Sequence, residues 1–345
     1  MNPVCLPPGS SRPSPCRGAL VDSRGRRITY LRLAITDRCN LRCLYCMPAE
    51  GISVDPHHAI LRFEELYRLV SIFAGLGVSK IRITGGEPFV RQDLVPFLQQ
   101  IAQLPEVKAL HVTTNGVAVA RHLPALRAIG LAGINLSLDT LQSQRFHTIS
   151  RRDEFANVRQ ALTAILDAGI PLKINTVALA GINTDELASL AALAKEHPLT
   201  TVRFIEPMPF NGEDRLPAVT WSQREILDEL HRHIPGLTAS TQIGPTTATL
   251  YQAPGFRGHI GIIPSYSRQF CHLCNKVRVT PQGVLKTCLY DQGALDLRQM
   301  LRSGASDQEI AQAIRSCVEN RYWDGHAAEA GMAGAPKRSM AAIGG

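Results

Sequence analysis

Hydrophobic and polar positions alternate with a period of two from Ile28 to Thr36: Leu31, Leu33 and Ile35 fall on one face, Arg32, Ala34 and Thr36 on the other. That pattern predicts a strand. The period then lengthens to that of a helix, with Phe63, Leu66, Leu69, Val70 and Phe73 recurring until Gly75 and Gly77 stop it ahead of a strand over Lys80 to Thr84. The same unit repeats down the chain. Helical spacing over Leu94 to Leu104, Leu123 to Ile129, Phe155 to Ala168 and Asp185 to Glu196 precedes strands over Ala109 to Thr113, Ile134 to Leu138, Leu172 to Val177 and Thr201 to Glu206, and a further helix spans Gln223 to His231. Strands separated by single helices imply right-handed crossovers and a parallel sheet. Six such units describe either a doubly wound sheet or an incomplete barrel.

The places where polar and glycine-rich residues interrupt the pattern decide between the two. Thr36 to Cys46, Thr84-Gly-Gly-Glu-Pro88, Thr113-Thr-Asn-Gly116, Ser137-Leu-Asp-Thr140, Lys173 to Thr176 and Glu206-Pro-Met-Pro209 all sit at or just past strand ends. In a parallel barrel these would converge on one mouth, where functional groups gather. After about residue 235 the alternation stops. Short strands are expected around Tyr251, Ile260 to Ile263, Lys276 to Thr280 and Val284 to Thr287, the last two joined by Pro-Gln-Gly as a hairpin. Cys317 shares a helical stripe with Ile310, Ile314 and Val318 and reads as core. The chain thus divides into a flexible tail over 1–22, a barrel over 23–235 and a C-terminal α+β region over 236–345 that ends in Gly-Gly.

Composition narrows the class without deciding it. A chain of 345 residues, 45% hydrophobic, can bury one large α/β core and an appendage. No apolar run is long enough to span a bilayer. The nine cysteines are too clustered for a disulfide scaffold and point to metal in a reducing, cytoplasmic setting. The tail is rich in Pro, Ser and Arg, with Cys5 and Cys16 at no metal-like spacing; it is nearly free of acids, as a transit peptide would be, but its prolines oppose the amphipathic helix such signals need. A net charge of +8 favours an anionic partner, whether nucleic acid, membrane or phosphorylated small molecule.

The chemistry is in the cysteines. Cys39, Cys43 and Cys46 are spaced C-x3-C-x2-C, so three thiolates can turn to one point, and thiolate selects iron–sulfur clusters, zinc or copper(I). Three ligands leave a 4Fe-4S cluster one iron open to a small molecule, whereas zinc would want a fourth Cys or His nearby, and His57 and His58 lie beyond a Pro-rich turn. With Tyr45 before the last cysteine the motif resembles that of radical S-adenosylmethionine (SAM) enzymes. A second set, Cys271-His-Leu-Cys274 with Cys288, is open to zinc through His272 or to a second three-cysteine cluster. Lys276 and Arg278, at alternate strand positions, point the same way and suit a phosphate-bearing ligand; a solvated strand face is the bland alternative.

Together the two sets, C-x3-C-x2-C and C-x2-C-x13-C, the TGGEP and TTNG segments and the Gly-Gly end resemble the GTP 3′,8-cyclase family, molybdenum cofactor biosynthesis protein A, from about Ser23 to Gly345. The resemblance implies an incomplete (βα)6 TIM-type barrel whose open side the C-terminal region covers, two 4Fe-4S clusters facing across one cavity, and SAM on the open iron of the first. Cys39, Cys43 and Cys46 would hold the first cluster; Cys271, Cys274 and Cys288 the second, which binds the guanine base. Tyr45, Gly86, Ser137 and Met208 match SAM contacts. Arg32, Arg82, Thr113, Lys173, Lys276, the backbone at Val277, and Arg278 match positions around GTP. Lys276 stands where the family pattern has arginine, keeping the charge without the bidentate fork.

The activity implied is a lyase reaction, cyclisation of GTP to (8S)-3′,8-cyclo-7,8-dihydroguanosine 5′-triphosphate, early in molybdenum cofactor biosynthesis, by a 5′-deoxyadenosyl radical that abstracts hydrogen from C3′. The resemblance also implies a homodimer, an electron donor such as flavodoxin or ferredoxin, and cyclic pyranopterin monophosphate synthase as the next enzyme. A triphosphate accounts for the basic balance without nucleic acid or membrane. Two rivals differ in class: a radical SAM peptide-modifying enzyme with an auxiliary cluster, and a nonenzymatic zinc protein that binds nucleic acid.

Overall fold

Six strands take up the predicted alternation in the computed structural model: β1 (Tyr30–Ala34), β2 (Lys80–Thr84), β3 (Ala109–Thr114), β4 (Gly133–Ser137), β5 (Leu172–Val177) and β6 (Thr200–Ile205). The structure describes residues 18–210, 221–240, 247–331 and 339–344; Cys5, Cys16, most of the tail and Gly345 lie outside the described residues. Consecutive strands pair in parallel, in the order β1 to β6. Helices α1 (Phe63–Gly75), α2 (Leu94–Ala102), α3 (Leu123–Ala128), α4 (Ser143–Ser150), α5 (Phe155–Asp167) and α6 (Leu187–Ala191) lie in the crossovers.

One face of the sheet is apolar and meets these helices. Leu31, Leu33, Ile81, Ile83, Val112, Ile134, Leu136, Ile174, Val202 and Phe204 pack in one cluster with Leu66, Phe73, Phe97, Leu98, Leu126, Val158, Ile165 and Leu190. Each such side chain contributes about 1.5–3 kcal/mol by leaving water. The opposite face carries Tyr30, Arg32, Lys80, Arg82, Lys173, Asn175 and Arg203, which line a cavity. A filled barrel has branched apolar residues there; charged ones keep the interior open.

The region after α7 (Gln223–His233) does more than cover the open side. It contributes β7 (Thr238–Ala239), β8 (Thr249–Gln252), β9 (His259–Ile263), β10 (Lys276–Val279), β11 (Val284–Lys286) and β12 (Leu295–Asp296). Of these, β10 joins β1 and β9 joins β6, both in parallel, so the six strands become eight consecutive parallel ones. The pairs β11–β12 and β8–β7 finish the two edges in antiparallel fashion. The hairpin between β10 and β11 turns at Gly283, whose φ of +84° is the left-handed conformation that favours glycine. Then α8 (Leu297–Arg302), α9 (Asp307–Glu319), α10 (Gly325–Ala330) and α11 (Met340–Ile343) follow. Arg302 pins α8 to the barrel by donating to Glu65 at the start of α1, 2.7 and 3.0 Å.

Three details differ from the periodicity. Helix α4 has only Phe146 and Ile149 as an apolar pair on one short stretch, too little to register as a repeat. The helix expected over Asp185 to Glu196 is broken into 3-10 turns at both ends of α6. Its start is tethered, since Glu186 accepts from the Thr140 hydroxyl and the Leu141 amide. Cys317 packs at the margin of the core, half-buried, its thiol 3.7 Å from the Ala294 carbonyl.

Candidate active site

Strand β1 leads straight into the first cysteine loop, and β2 fixes where that loop begins. The amides of Gly86 and Glu87 donate to the carbonyls of Thr36 and Arg38, 2.7 and 2.8 Å. A Cβ on Gly85 or Gly86 would overlap those same carbonyls. The glycines therefore admit the protein's own backbone at this point. Glu87 continues the brace: its carboxylate accepts from the Phe89 amide, the Thr114 hydroxyl and the Asn115 amide, tying the end of β2 to the end of β3. Burial pushes its pKa up to about 7. The unforeseen α4 holds the other end of the loop, with the carbonyls of Ile149 and Ser150 accepting from the amides of Leu44 and Arg42, 3.0 and 2.9 Å.

Within the loop Cys39, Cys43 and Cys46 all line the cavity. Burial holds the Cys39 and Cys43 thiols above their ordinary value and pushes Cys46 up to about 12. Deprotonation therefore requires a compensating positive centre, which a metal supplies. The Tyr45 hydroxyl donates to Asp139, 2.7 Å.

The second set comes from the other end of the chain, yet faces the same space. Cys271 and Cys274 precede β10, which pairs with β1, and Cys288 follows β11, so Cys271, Cys274 and Cys288 line the same cavity of about 650 Å³ as the first set. No three of the described His, Cys, Asp and Glu side chains meet at the spacing of a single ion. Two sets of three thiols with no histidine among the donors fit iron–sulfur clusters, which spread their thiolates over several irons.

Between the two sets the wall is cationic. Register aligns Arg32 with both Arg82 and Arg278, Tyr30 with both Lys80 and Lys276, and Asn175 with Arg203. With Lys173 this makes seven cations, none of which is within 4 Å of a carboxylate among the described residues. Their partners are neutral: Arg203 donates to Asn175, 2.6 and 2.9 Å; Arg278 to the Gly344 carbonyl, 2.9 Å; Asn135 is placed to accept from both Arg82 and Arg203. Lys80, Arg82 and Lys276 surround the Tyr30 ring at 4.9–5.5 Å. Burial would raise the Tyr30 phenol, but Arg82, Arg32 and Lys80 together bring it below its ordinary value. Burial, reinforced by Arg203, Lys80 and Arg82, lowers Lys173 to about 7; burial likewise lowers Lys276 to about 8 and lowers Arg82, Arg203 and Arg278.

The hydroxyls of Tyr30 and Thr113 and the Nε atoms of Arg32 and Arg82 are buried without a hydrogen-bond partner. Each such group costs about 1–3 kcal/mol, and an anionic, oxygen-rich ligand would satisfy them. Ser137, Gly86 and Met208 also line the cavity; Val277 turns its side chain into the core, 1% exposed, leaving only its backbone toward the site. The sequence reading missed Lys80 and Arg203. Their signal was a cation on the inward face of a strand already assigned, the same alternation that singled out Arg32.

The C-terminal segment packs against the first cysteine loop and β1. Ser339 donates to the Cys46 carbonyl, 2.6 Å, Ile343 is buried, and a Cβ on Gly344 would lie 2.5 Å from the Ala34 Cβ on the inner face of β1.

Comparison with known proteins agrees with this architecture. The profile of the Radical SAM superfamily matches residues 33–194, and that of Molybdenum Cofactor Synthesis C matches residues 200–327. GTP 3′,8-cyclase of Heliobacterium modesticaldum is 39% identical, over 94% of this chain and 100% of its own length. The mitochondrial GTP 3′,8-cyclase of Arabidopsis thaliana is 37% identical, over 96% of this chain and 85% of its own. Molybdenum cofactor biosynthesis protein 1 of Bos taurus is 42% identical over 89% of this chain; the chain spans about half the length of this and the other animal relatives it matches. Among solved structures, Streptococcus suis SuiB bound to S-adenosylmethionine superimposes with a TM-score of 0.59 at 15% identity, covering 84% of this chain and 68% of its own, a likeness of fold.

Two outcomes follow from the geometry. Gly86→Ala must push the Thr36–Arg38 backbone away, so after anaerobic reconstitution it should lose the iron of the first thiol set and keep that of the second, about half the total. Full iron content would show that the loop tolerates the displacement. Replacing Arg203 with Met removes a buried cation that has no counterion, so the ligand-free protein should gain about 1–3 kcal/mol and unfold at a higher temperature. A lower unfolding temperature would mean that Arg203 is a structural tie through Asn175.

Proposed function

We propose that this chain, which belongs to the GTP 3′,8-cyclase family of radical SAM enzymes, is the lyase that converts GTP to (8S)-3′,8-cyclo-7,8-dihydroguanosine 5′-triphosphate in molybdenum cofactor biosynthesis. One observation carries the reading: two thiol triplets face one cavity across a wall of seven cations that have no carboxylate partner among the described residues. A peptide substrate would leave those cations without a use.

In this reading Cys39, Cys43 and Cys46 hold the SAM-binding cluster, and Cys271, Cys274 and Cys288 hold a second one against the guanine base. When bound, the first cluster and SAM supply the 5′-deoxyadenosyl radical that takes hydrogen from C3′ of the ribose. Everything else is the chain's own work. Arg32, Lys80, Arg82, Lys173, Arg203, Lys276 and Arg278 neutralise and orient the triphosphate, which fixes the nucleoside relative to the thiol sets. Thr113 and the Val277 backbone complete the GTP site; Tyr45, Gly86, Ser137 and Met208 surround SAM. The C-terminal segment shields the mouth from water and oxygen.

The reading also implies a homodimer, a low-potential electron donor such as flavodoxin or ferredoxin, cyclic pyranopterin monophosphate synthase as the next enzyme, and a reducing, cytoplasmic-type setting. Among the described residues no helix is long and apolar enough to cross a membrane.

The direct test is GTP-dependent formation of 5′-deoxyadenosine by the anaerobically reconstituted protein. Cys43→Ala should abolish SAM cleavage, whereas Cys274→Ala should retain the basal, GTP-independent cleavage and lose GTP binding and the cyclised product. Equal cleavage by wild type and Cys43→Ala sinks the assignment of the first set.

Lys173 makes GTP binding depend on pH. Its folded pKa of about 7 lies below the ordinary lysine value, so above pH 7 the free site is largely neutral there. A phosphate alongside favours the ammonium form, so binding takes up a proton and affinity falls as pH rises from about 7 to about 9, by up to about tenfold per unit for one proton. Below pH 7 the ammonium is already present and this dependence vanishes. Lys173→Arg, charged throughout, should reduce the slope. A wild-type affinity that is constant across this range rules out proton uptake by Lys173.

A further inference from the structure

Cys274 differs from the other cysteines in what its sulfur touches. Arg321 donates from Nη2 to the Cys274 sulfur, 3.4 Å, and from Nη1 to the Cys274 carbonyl, 3.2 Å. Among the described residues it is the one cysteine sulfur that accepts from a charged side chain; Cys39, by contrast, accepts from the Leu41 amide and the Asn115 carboxamide.

Arg321 is held by a residue near the other end of the described chain. Its side chain is 3% exposed and its Nε lies 3.8 Å from the carboxylate of Asp22, which is fully buried. The same carboxylate accepts from the amides of Arg24 and Arg26 and from Arg26 Nε, 2.5–2.9 Å. Arg26 then reaches back to the cysteine loop, donating to the carbonyls of Cys271 and Trp323, 3.0 and 2.8 Å. The buried Asp22 carboxylate thus hydrogen-bonds the Arg26 guanidinium and lies within ion-pair distance of Arg321, whose Nε has no hydrogen-bond partner, and the three groups carry a net positive charge.

We propose that Arg321, held in place by Asp22, is a positioning residue for the second cluster, which sets that cluster's reduction potential through Cys274. The proposal rests on the reading of Cys271, Cys274 and Cys288 as cluster ligands. A hydrogen bond to a ligating sulfur withdraws electron density from it, and a nearby positive charge favours the more negative, reduced state; both raise the potential. Burial keeps solvent from screening either effect.

The test uses the full chain with Cys39, Cys43 and Cys46 all replaced by Ala, so that only the second cluster remains and can be titrated electrochemically under spectroscopic observation. In this parent, Arg321→Met should load iron as the parent does and titrate at a lower potential. Arg321→Lys, which keeps the charge, should stay near the parent value. A merely structural clasp predicts faster release of iron to a chelator, with an unchanged potential for the cluster that remains. An unchanged potential in Arg321→Met overturns the proposal. Should Arg321→Met fail to hold iron, Arg321→Lys decides: the parent potential supports the assignment, and loss of iron from it as well overturns it. A parent that binds no cluster overturns the ligand reading itself, and the proposal with it.

Discussion

Seven cations share one cavity wall with no carboxylate within 4 Å among the described residues, and much of the architecture answers to that constraint. Burial is the main reason that Lys173 and Lys276 have lowered pKa values, and repulsion among the neighbouring cations adds to it. The repulsion is accommodated by space and by neutral partners. An interior filled with branched apolar residues would trap these charges, so the barrel interior is left as a cavity. Tyr30 offers its ring to three of the cations, while Asn135 and Asn175 offer oxygens to Arg82 and Arg203. None of these partners carries a charge that a triphosphate would have to displace. The site is thus stable enough to fold, and it keeps its strongest interactions for the ligand.

Stability has to come from elsewhere, and it comes from the other face of the same strands. Because side chains alternate along a strand, every inward cation has an outward apolar neighbour: Arg32 lies between Leu31 and Leu33, and Arg82 between Ile81 and Ile83. The apolar members are fully buried against the helices. A one-residue slip of β1 against its neighbours would exchange the two sets and drive charge into the core. The register that builds the site is the register that buries the core.

This coupling explains what could be read from the sequence. Period-two and helical spacing placed β1 to β6 and most helices within a residue or two, because those segments bury one clean face. The thiol sets were legible because close cysteine spacing is informative without any three-dimensional context. Lys80 and Arg203 were not, since an isolated cation on a half-buried strand looks like a solvated face until register sets it beside Tyr30 or Asn175. Helix α4 escaped for lack of a repeat, although its carbonyls hold the first cysteine loop. The role of Gly85 and Gly86 was hidden for another reason: glycine signals close approach but not what approaches. Here it is the backbone of Thr36 to Arg38, contributed by the loop after β1, some fifty residues earlier in the chain.

The parallel placement of β10 beside β1 is the step that turns two separated cysteine motifs into one site. The chain between β1 and β10 runs through the entire barrel, so nothing local brings Cys274 near Cys39. The Lys276–Tyr30 and Arg278–Arg32 register does so, and it also aims Arg278 at the cavity. Arg278 there donates to the carbonyl of Gly344, at the end of the described chain. Any larger residue at that position would collide with Ala34 on the neighbouring strand, and its φ of +82° suits glycine as well. A terminal segment that enters a cavity must be both narrow and held, and the two requirements meet at one residue. Glycine supplies the narrowness, and its carbonyl gives Arg278 a neutral acceptor. The closing segment therefore depends on the same uncompensated charge that equips the cavity for a triphosphate.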